Sequence, residues 1–270
     1  MPDQPSPAGP TEPDFIHEIR DGIARVTFNR PQARNALTFA MYEGLAEVCR
    51  AADADRSIKA VVLAGAGGKA FASGTDISQF RSFTTPEHAL AYEERINGVL
   101  AALEGCRVPT IAVVSGACTG GGLAIAASCD IRIASADARF GMPIARTLGN
   151  CLSTTNYRRL AALIGPARVK EVIFTARLVG AAEAAAIGLV SEVVEGGHEA
   201  ALRRGDELAA TVAGHAPLTL EVTKRALLRL RDEPERTDDR DLVLLCYTSE
   251  DFREGMDAFL NKRPARWTGR

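Results

Sequence analysis

Apolar and polar residues alternate in two short segments near the start of the chain. The segments FIHEIR and IARVTFNRP are separated by Asp21-Gly22, a dipeptide typical of tight turns. This pattern predicts a two-stranded hairpin, with ordered structure beginning near Asp14. Residues 1–13 are rich in proline, and we predict that they form a disordered tail.

From residue 39 onward the spacing of apolar residues changes repeatedly. Phe39, Met41 and Leu45 have helical spacing, and the apolar run IKAVVLAG that follows them is typical of a strand buried on both faces. A second helical stretch, Pro86 to Leu103, leads to the apolar strand PTIAVVSG. A glycine cluster, a helix of small residues and the strand CDIRIAS come next. This alternation predicts an α/β fold.

Beyond residue 150 the sequence GLVSEVV resembles a strand, and helical patterns predominate elsewhere. We predict an α/β core over residues 14–200 and a helical region over residues 201–270. Apolar faces of the helical region, including Leu242 to Leu245, require a partner surface, and self-association is the simplest one. The predicted helices cover residues 153–164, 166–175, 197–213, 217–231 and 240–261.

Composition narrows the classes of function. Lys and Arg total 32 against 34 Asp and Glu, so a net charge of -2 offers no basic surface for nucleic acid or an anionic membrane. The sequence contains no run of about 18 apolar residues, so we expect no membrane span. The N-terminus lacks the features of a signal peptide. The six cysteines form no CxxC pair, so we expect no metal site and free thiols, as in a reducing cytoplasm.

The first strand–glycine–helix junction is VVLAGAGGKAFASGTDI. A phosphate-binding P-loop is excluded, because Leu63 and Ala70 stand where its first glycine and its hydroxyl residue belong. Gly65, Gly67 and Ala70 match a loose dinucleotide pattern. However, residues 71–74 interrupt the helix that would hold the pyrophosphate.

The second junction, IAVVSGACTGGGLAIAASCD, has three consecutive glycines before a helix of small residues. One interpretation is a tight turn with close helix packing. The other is a site at which backbone N–H groups near a helix N-terminus stabilise negative charge. If each junction supplied one N–H to a single oxygen, the pair would form an oxyanion hole for a thioester enolate.

Six motifs together resemble the crotonase superfamily, whose namesake is enoyl-CoA hydratase. The resemblance covers almost the whole chain beyond the tail. It implies a spiral core of repeated ββα units, a C-terminal helical region that assembles trimers or dimers of trimers, and an acyl-CoA substrate. The motifs are NRPQARNAL (29–37), FASGTDI (71–77), VSGACTGGGLAIAASCD (114–130), ADARFGMP (136–143), APLTLEVTKRAL (216–227) and SEDFREGMDAFLNKRP (249–264).

The resemblance assigns the two oxyanion donors to the backbone N–H groups of Thr75 and Gly121. Other matching positions flank the coenzyme A (CoA) moiety of the substrate in the superfamily. Apart from this CoA, which the substrate carries, we expect no cofactor. The matching CoA positions are Arg30, Asn35, Ala36, Leu37, Ala72, Ser73, Asp76, Phe259 and Lys262.

Both glutamates that the superfamily uses for hydration are replaced. Ala124 occupies the first position, and Ile144 occupies the second, although one extra residue before Gly149 leaves Ala145 as an alternative. None of these three side chains can carry a proton.

Candidate groups for the missing chemistry lie elsewhere. Arg146 and Asn150 belong to the extended segment, Asp137 precedes Ile144, and the helical stretch near residue 90 contains other carboxylates. The last of these are Glu93 and Glu94. Each of these polar side chains could equally be solvated at the surface.

We therefore expect an acyl-CoA-processing enzyme of the enoyl-CoA hydratase/isomerase type. One alternative is another enolate reaction, such as isomerisation, decarboxylation, C–C cleavage or thioester hydrolysis. A second alternative is a CoA-binding or assembly protein without catalysis.

Overall fold

The computed structural model describes residues 13–236 and 238–270. Of the predicted proline-rich tail, residues 1–12 lie outside the described residues. In chain order the described part contains ten strands, ten α-helices and two short 3-10 helices, and the strands form two sheets.

The larger sheet has six strands in the order β1-β2-β3-β5-β7-β10. The predicted hairpin is confirmed: β1 and β2 are antiparallel, and every other neighbouring pair is parallel. The strands of this sheet are β1 Phe15–Arg20, β2 Ile23–Phe28, β3 Ala60–Gly65, β5 Thr110–Val114, β7 Ile131–Ser135 and β10 Glu192–Val194.

The smaller sheet has four strands in the order β4-β6-β8-β9. Strands β4, β6 and β8 each follow one strand of the larger sheet, which produces the repeated strand–strand units of the spiral core. Strands β4 and β6 begin in close contact, because a Cβ on Gly116, just before β6, would lie 2.1 Å from the carbonyl oxygen of Lys69, just before β4. These strands are β4 Ala70–Ala72, β6 Ala117–Thr119, β8 Arg139–Gly141 and β9 Val179–Gly180.

Helices cover both faces of the larger sheet. Alternate residues of β3 belong to two different apolar clusters, Val61 and Leu63 to one and Val62 to the other. This two-sided burial explains the continuous apolar run in the sequence. The helices are α1 Phe39–Ala54, α2 Pro86–Gly105, α3 Gly121–Ser128, α4 Ile144–Thr147, α5 Thr154–Thr175, α6 Ala181–Ala186, α7 Gly197–Ala213, α8 Pro217–Asp232, α9 Arg240–Tyr247 and α10 Glu250–Leu260.

The C-terminal half differs from the sequence prediction in two respects. The segment 240–261 is two helices, because the Ser249 hydroxyl accepts a hydrogen bond from the N–H of Phe252 and begins a new helix there. Leu242 is buried, with 3% of its surface exposed, whereas Leu244 is 57% exposed. The apolar face left uncovered therefore includes Leu244 but not Leu242.

Helix α7 crosses the predicted division at residues 200 and 201. Its residues Ala201 and Ala209 are buried against the larger sheet, so this helix packs on the α/β core. Within residues 13–236 and 238–270, no helix has both the length and the apolar character needed to cross a membrane.

Candidate active site

One cavity brings together the two glycine junctions of the sequence. The loop after β4 contributes Ser73, Gly74 and Thr75, and the start of α3 contributes Gly121. The cavity encloses about 830 Å³, including its open mouth. Helix α2, the residues around α4 and the segment leading into α5 form the remaining walls. We call this space the Thr75–Gly121 cavity.

Thr75 is held in extended backbone against Leu37. The N–H of Leu37 donates to the carbonyl of Gly74 at 2.8 Å, and the N–H of Asp76 donates to the carbonyl of Leu37 at 2.8 Å. Because successive amides of an extended chain point to opposite sides, the N–H of Thr75 points away from Leu37. It has no acceptor among the described residues.

Gly121 begins α3, directly after Gly120, whose φ of +53° favours glycine. An N–H in the first turn of a helix has no intrahelical acceptor, and that of Gly121 has none in residues 13–236 and 238–270. A Cβ at this position would lie 2.1 Å from Oη of Tyr42 and 3.0 Å from Oγ1 of Thr75. The packing thus favours glycine at position 121, and two N–H groups of one cavity have no acceptor in the described part of the chain.

Three hydroxyl groups meet beside these donors. Oγ1 of Thr75 lies 3.0 Å from Oη of Tyr42 and 3.1 Å from Oη of Tyr92. Burial raises the pKa of both tyrosines above its ordinary value, so both phenols stay neutral at physiological pH. The sequence analysis singled out neither tyrosine. Tyr42 fits the apolar spacing of α1, which is typical of a residue in the hydrophobic core.

Ala124 and Ile144, the positions at which the superfamily resemblance predicts glutamates, both line the Thr75–Gly121 cavity. Ala124 and Ile144 are 9% and 7% exposed, and their side chains make this wall apolar. Ala145, the alternative left open by the sequence, is exposed and is absent from the lining. The structure therefore selects Ile144 as the residue that faces the cavity.

Glu93 is half-buried and lines the same cavity from α2. Burial raises the pKa of its carboxyl, and a hydrogen bond from the N–H of Ser153 offsets part of that effect. Its charge also acts on the phenols of Tyr42 and Tyr92. A sequence signal for this position was present. Glu93 precedes the buried Ile96 by three positions, and residues three apart lie on the same face of a helix.

The other candidates from the sequence are divided between the cavity and the surface. Asn150 lines the cavity, whereas Arg146 is exposed outside the lining. Glu94 is exposed, and Asp137 is exposed and accepts a hydrogen bond from the Ser135 hydroxyl.

The cysteines are also divided. Cys49, Cys106, Cys118 and Cys129 are buried free thiols. Cys151 is exposed and lines the cavity.

Several of the positions expected to flank CoA belong to one loop, and the polar side chains of this loop are hydrogen-bonded within the protein. Arg30 donates to Asp76 at 2.9 Å and to the carbonyl of Ala36 at 2.7 Å, so its charge is already paired. The Asn35 side chain is fully buried, donates to the carbonyls of Ala66 and Ala70 and accepts from the N–H of Arg30. Asn35 therefore shapes this loop, and its side chain is not exposed to a ligand.

Leu37 and Ala72 are fully buried beside this loop, and Ser73 lines the cavity. Phe259 and Lys262 lie at the end of α10, outside the cavity lining. Phe259 is 84% exposed and borders a separate apolar groove. Within a single copy of the chain, Phe259 and Lys262 therefore do not reach the Thr75–Gly121 cavity. No three His, Cys, Asp or Glu side chains of the described residues converge as a metal site would require.

Comparisons with known proteins agree over almost the full length. Residues 18–270 match the family model described as enoyl-CoA hydratase/isomerase. The chain is 37% identical over 259 residues to the short-chain-enoyl-CoA hydratase of Clostridium acetobutylicum, covering 93% of this chain and 95% of that protein. It is 31% identical to the crotonyl-CoA hydratase of Syntrophomonas wolfei, covering 94% of this chain and 97% of the relative.

A solved structure gives the same result for the fold. The enoyl-CoA hydratase/carnithine racemase of Magnetospirillum magneticum superimposes with a TM-score of 0.88 at 36% sequence identity, covering 96% of this chain and 97% of that one. The C-terminal helices are part of this agreement, because the coverage extends over nearly the whole of both chains.

Proposed function

This chain belongs to the enoyl-CoA hydratase/isomerase family, within the crotonase superfamily, and from that premise we propose how it acts on an acyl-CoA thioester. The backbone N–H groups of Thr75 and Gly121 hold the thioester oxygen and stabilise the enolate formed from it. The observation that carries this proposal is that both N–H groups lack a protein acceptor in the described residues and belong to the lining of one cavity.

The chemistry follows from where negative charge develops. Removal of a proton from the α-carbon transfers charge to the thioester oxygen, and two fixed N–H donors stabilise that charge without reorganising. Loss of one such donor typically costs about 2.7–4 kcal/mol of transition-state stabilisation.

Hydration is the activity named for two of the relatives, and for this chain it stays a proposal. A water molecule beside Ala124 and Ile144 would find no base and no hydrogen-bonding side chain at either position. We therefore expect slow hydration. Isomerisation, decarboxylation, C–C cleavage and thioester hydrolysis remain alternative enolate reactions, and a CoA-binding or assembly role is the non-catalytic alternative.

Exchange of the α-protons of butyryl-CoA in D₂O tests the proposed function directly, because exchange requires only enolate formation. We expect the wild-type protein to bind butyryl-CoA and to incorporate deuterium at the α-carbon, measured by mass spectrometry. Binding without exchange would support the non-catalytic alternative, and absence of binding would overturn the acyl-CoA assignment. Turnover of crotonyl-CoA, measured alongside, reports hydration separately.

A further inference from the structure

A buried carboxamide lies on the wall of the Thr75–Gly121 cavity. Asn156, in the first turn of α5, is 5% exposed and belongs to the cavity lining. Its neighbours in the lining include the apolar side chains of Ile96 and Leu152. A buried polar group in such surroundings needs hydrogen-bond partners, because an unpaired donor has lost its bonds to water without replacement. The partners of this carboxamide therefore indicate what the cavity can bind.

The oxygen of the Asn156 carboxamide is already paired. Nη1 of Arg159 donates to Oδ1 of Asn156 at 2.7 Å, and Nε of Arg159 donates to the Glu104 carboxylate at 2.9 Å. A guanidinium group only donates hydrogen bonds, so this contact fixes which end of the carboxamide is the oxygen. Arg159 is 4% exposed, and its ion pair with Glu104 holds the Asn156 side chain in one orientation.

The nitrogen of the Asn156 carboxamide has one donor in excess. An asparagine amide carries two N–H groups. Nδ2 of Asn156 lies 3.4 Å from Oδ1 of Asn97, an oxygen that also accepts a shorter bond of 2.8 Å from the Ser153 hydroxyl. The second N–H has no acceptor within residues 13–236 and 238–270. Because Asn156 is buried and lines the cavity, a ligand in the cavity is the partner that can reach this N–H.

Asn156 lies deeper in the cavity than the oxyanion donors, and helix α2 gives the separation. The Tyr92 hydroxyl lies 3.1 Å from Oγ1 of Thr75, and five residues later Asn97 contacts Asn156. Five helical residues rise about 7.5 Å along the axis. The unpaired N–H therefore meets a part of the acyl group several bonds away from the thioester oxygen, beyond the β-carbon.

We infer that Asn156 selects an acyl group that carries a neutral acceptor oxygen beyond its β-carbon, and that the substrate is an acyl thioester with a distal ketone. This inference rests on the proposed function, because it requires the thioester oxygen to lie at the N–H groups of Thr75 and Gly121. Asn156 is a specificity-determining residue in this arrangement. It binds the acyl group and takes no part in proton transfer.

The charges of the lining favour a neutral acceptor. The described residues of the lining include no lysine, arginine or histidine, so a second carboxylate on the acyl group would be buried without a cation. Glu93 lines the same cavity, and its carboxylate would repel such an anion. A hydroxyl group also fits less well than a ketone. Oδ1 of Asn97 already accepts two hydrogen bonds, so a hydroxyl group beside Asn156 would lack this acceptor for its own hydrogen.

Two thioesters that differ by one oxygen test the substrate class in the wild-type protein. 5-Oxohexanoyl-CoA carries a ketone beyond the β-carbon, and hexanoyl-CoA lacks it. We expect the oxo compound to bind about 3–10-fold more tightly, the effect of one hydrogen bond between neutral groups, measured by isothermal titration calorimetry. Equal affinity for the two thioesters would overturn the substrate class, and this comparison does not depend on the folding of any variant.

Asn156→Asp tests the residue, because it keeps the oxygen that Arg159 binds and replaces the NH₂ group by a second oxygen. We expect the preference for 5-oxohexanoyl-CoA to disappear, with hexanoyl-CoA still bound. Asn156→Leu removes both polar atoms and should also abolish the preference. The matched control is Thr155→Asp, which adds a carboxylate to the same turn at an exposed residue outside the lining and should keep the wild-type preference.

The remaining outcomes separate this inference from the proposed function. A preference that persists in both Asn156→Asp and Asn156→Leu would overturn the role of Asn156. Tighter binding of 5-hydroxyhexanoyl-CoA than of 5-oxohexanoyl-CoA would overturn the assignment of a ketone. A wild-type protein that binds butyryl-CoA but neither six-carbon thioester would overturn this inference alone, and one that binds no acyl-CoA would overturn the proposed function itself.

Discussion

The hydroxyl oxygen of Tyr42 lies 3.0 Å from Oγ1 of Thr75. Tyr42 is 1% exposed, so this contact connects the apolar core beneath α1 to the loop that supplies one proposed oxyanion donor. The same hydroxyl lies where a side chain at Gly121 would project. Thr75 and Gly121, which are distant in sequence, are therefore fitted around one phenol.

The pairing of Tyr42 with Thr75 predicts a strong energetic coupling. Thr75→Val leaves the buried Tyr42 hydroxyl with one hydrogen-bond partner fewer, and we expect a loss of about 1–3 kcal/mol in the free energy of unfolding. In a Tyr42→Phe background the same substitution should cost less, because the Tyr42 hydroxyl is then already absent and only the Tyr92 hydroxyl loses a partner. Urea denaturation of the four proteins measures this coupling, and additive losses would contradict it. Thr75→Val keeps its N–H, so exchange of butyryl-CoA should continue.

Gly121→Ala tests the fit around the second donor. The new Cβ would lie 2.1 Å from Oη of Tyr42, so either the phenol or the start of α3 must move. We expect a lower melting temperature and a loss of α-proton exchange by about 10²–10³-fold, as for a displaced oxyanion donor. Adding Tyr42→Phe removes the closest contact and should restore part of the melting temperature. A single Gly121→Ala variant with wild-type stability and exchange would refute the assignment.

The raised pKa of Glu93 predicts an acid limb in the pH profile of exchange. Glu93 is the one carboxylic acid in the described lining of the Thr75–Gly121 cavity and is therefore the candidate base. It must be deprotonated to act, so we expect exchange to be lost as the pH falls through a pKa above the ordinary value of about 4.3. Tyr42 and Tyr92 do not contribute to this limb, because burial raises the pKa of each phenol. An acid limb at or below the ordinary glutamate value would contradict this.

The same shift predicts the pH dependence of stability. Because the pKa of Glu93 is higher in the folded state, folding binds protons, and Glu93 lowers stability as the pH rises from its unfolded pKa through its folded pKa. Glu93→Gln lacks this penalty. Its melting temperature should equal or exceed that of the wild-type protein at pH 7, and the difference should shrink below the unfolded pKa of about 4.3.

Introducing carboxylates at Ala124 and Ile144 tests the apolar wall of the cavity. We expect Ala124→Glu with Ile144→Glu to raise the hydration of crotonyl-CoA, because two acids can then hold and activate a water molecule. Burying two carboxylates will cost several kcal/mol of stability, measured by urea denaturation. The matched control, Ala124→Glu with Ala145→Glu, carries its second acid at an exposed position and should give no comparable gain. Fast hydration by the wild-type protein would contradict the expectation.

The exposed apolar residues of the C-terminal helices predict self-association, as the superfamily resemblance implies. Leu244 is 57% exposed and Tyr247 is 63% exposed on α9. We expect a trimer or hexamer by light scattering, and dissociation when both residues are changed to aspartate. Ile19→Asp, at a residue 53% exposed on β1, is the control that should keep the assembly. A monodisperse wild-type monomer at micromolar concentration would exclude this assembly.

The local pattern of the sequence was sufficient to predict the main elements of the fold. Alternation around Asp21-Gly22 predicts the hairpin, and the continuous apolar run of β3 predicts a strand covered on both faces. The glycine junctions were visible in the sequence as sites of close backbone approach, and the superfamily resemblance assigned the oxyanion donors to Thr75 and Gly121 there, which stays a prediction. These features depend on residues near one another in the chain, and their physical cause is local.

Only the tertiary structure decided which side chains share the cavity. Ile144 and Ala145 are neighbours, as are Glu93 and Glu94, yet in each pair one member lines the cavity and the other is exposed. Successive helical residues differ by about 100° around the helix axis, so the packing of α2 and α4 against the core selects the inward residue. Tyr42 shows the same limit, because its contact with Thr75 depends on how α1 meets a loop 33 positions away.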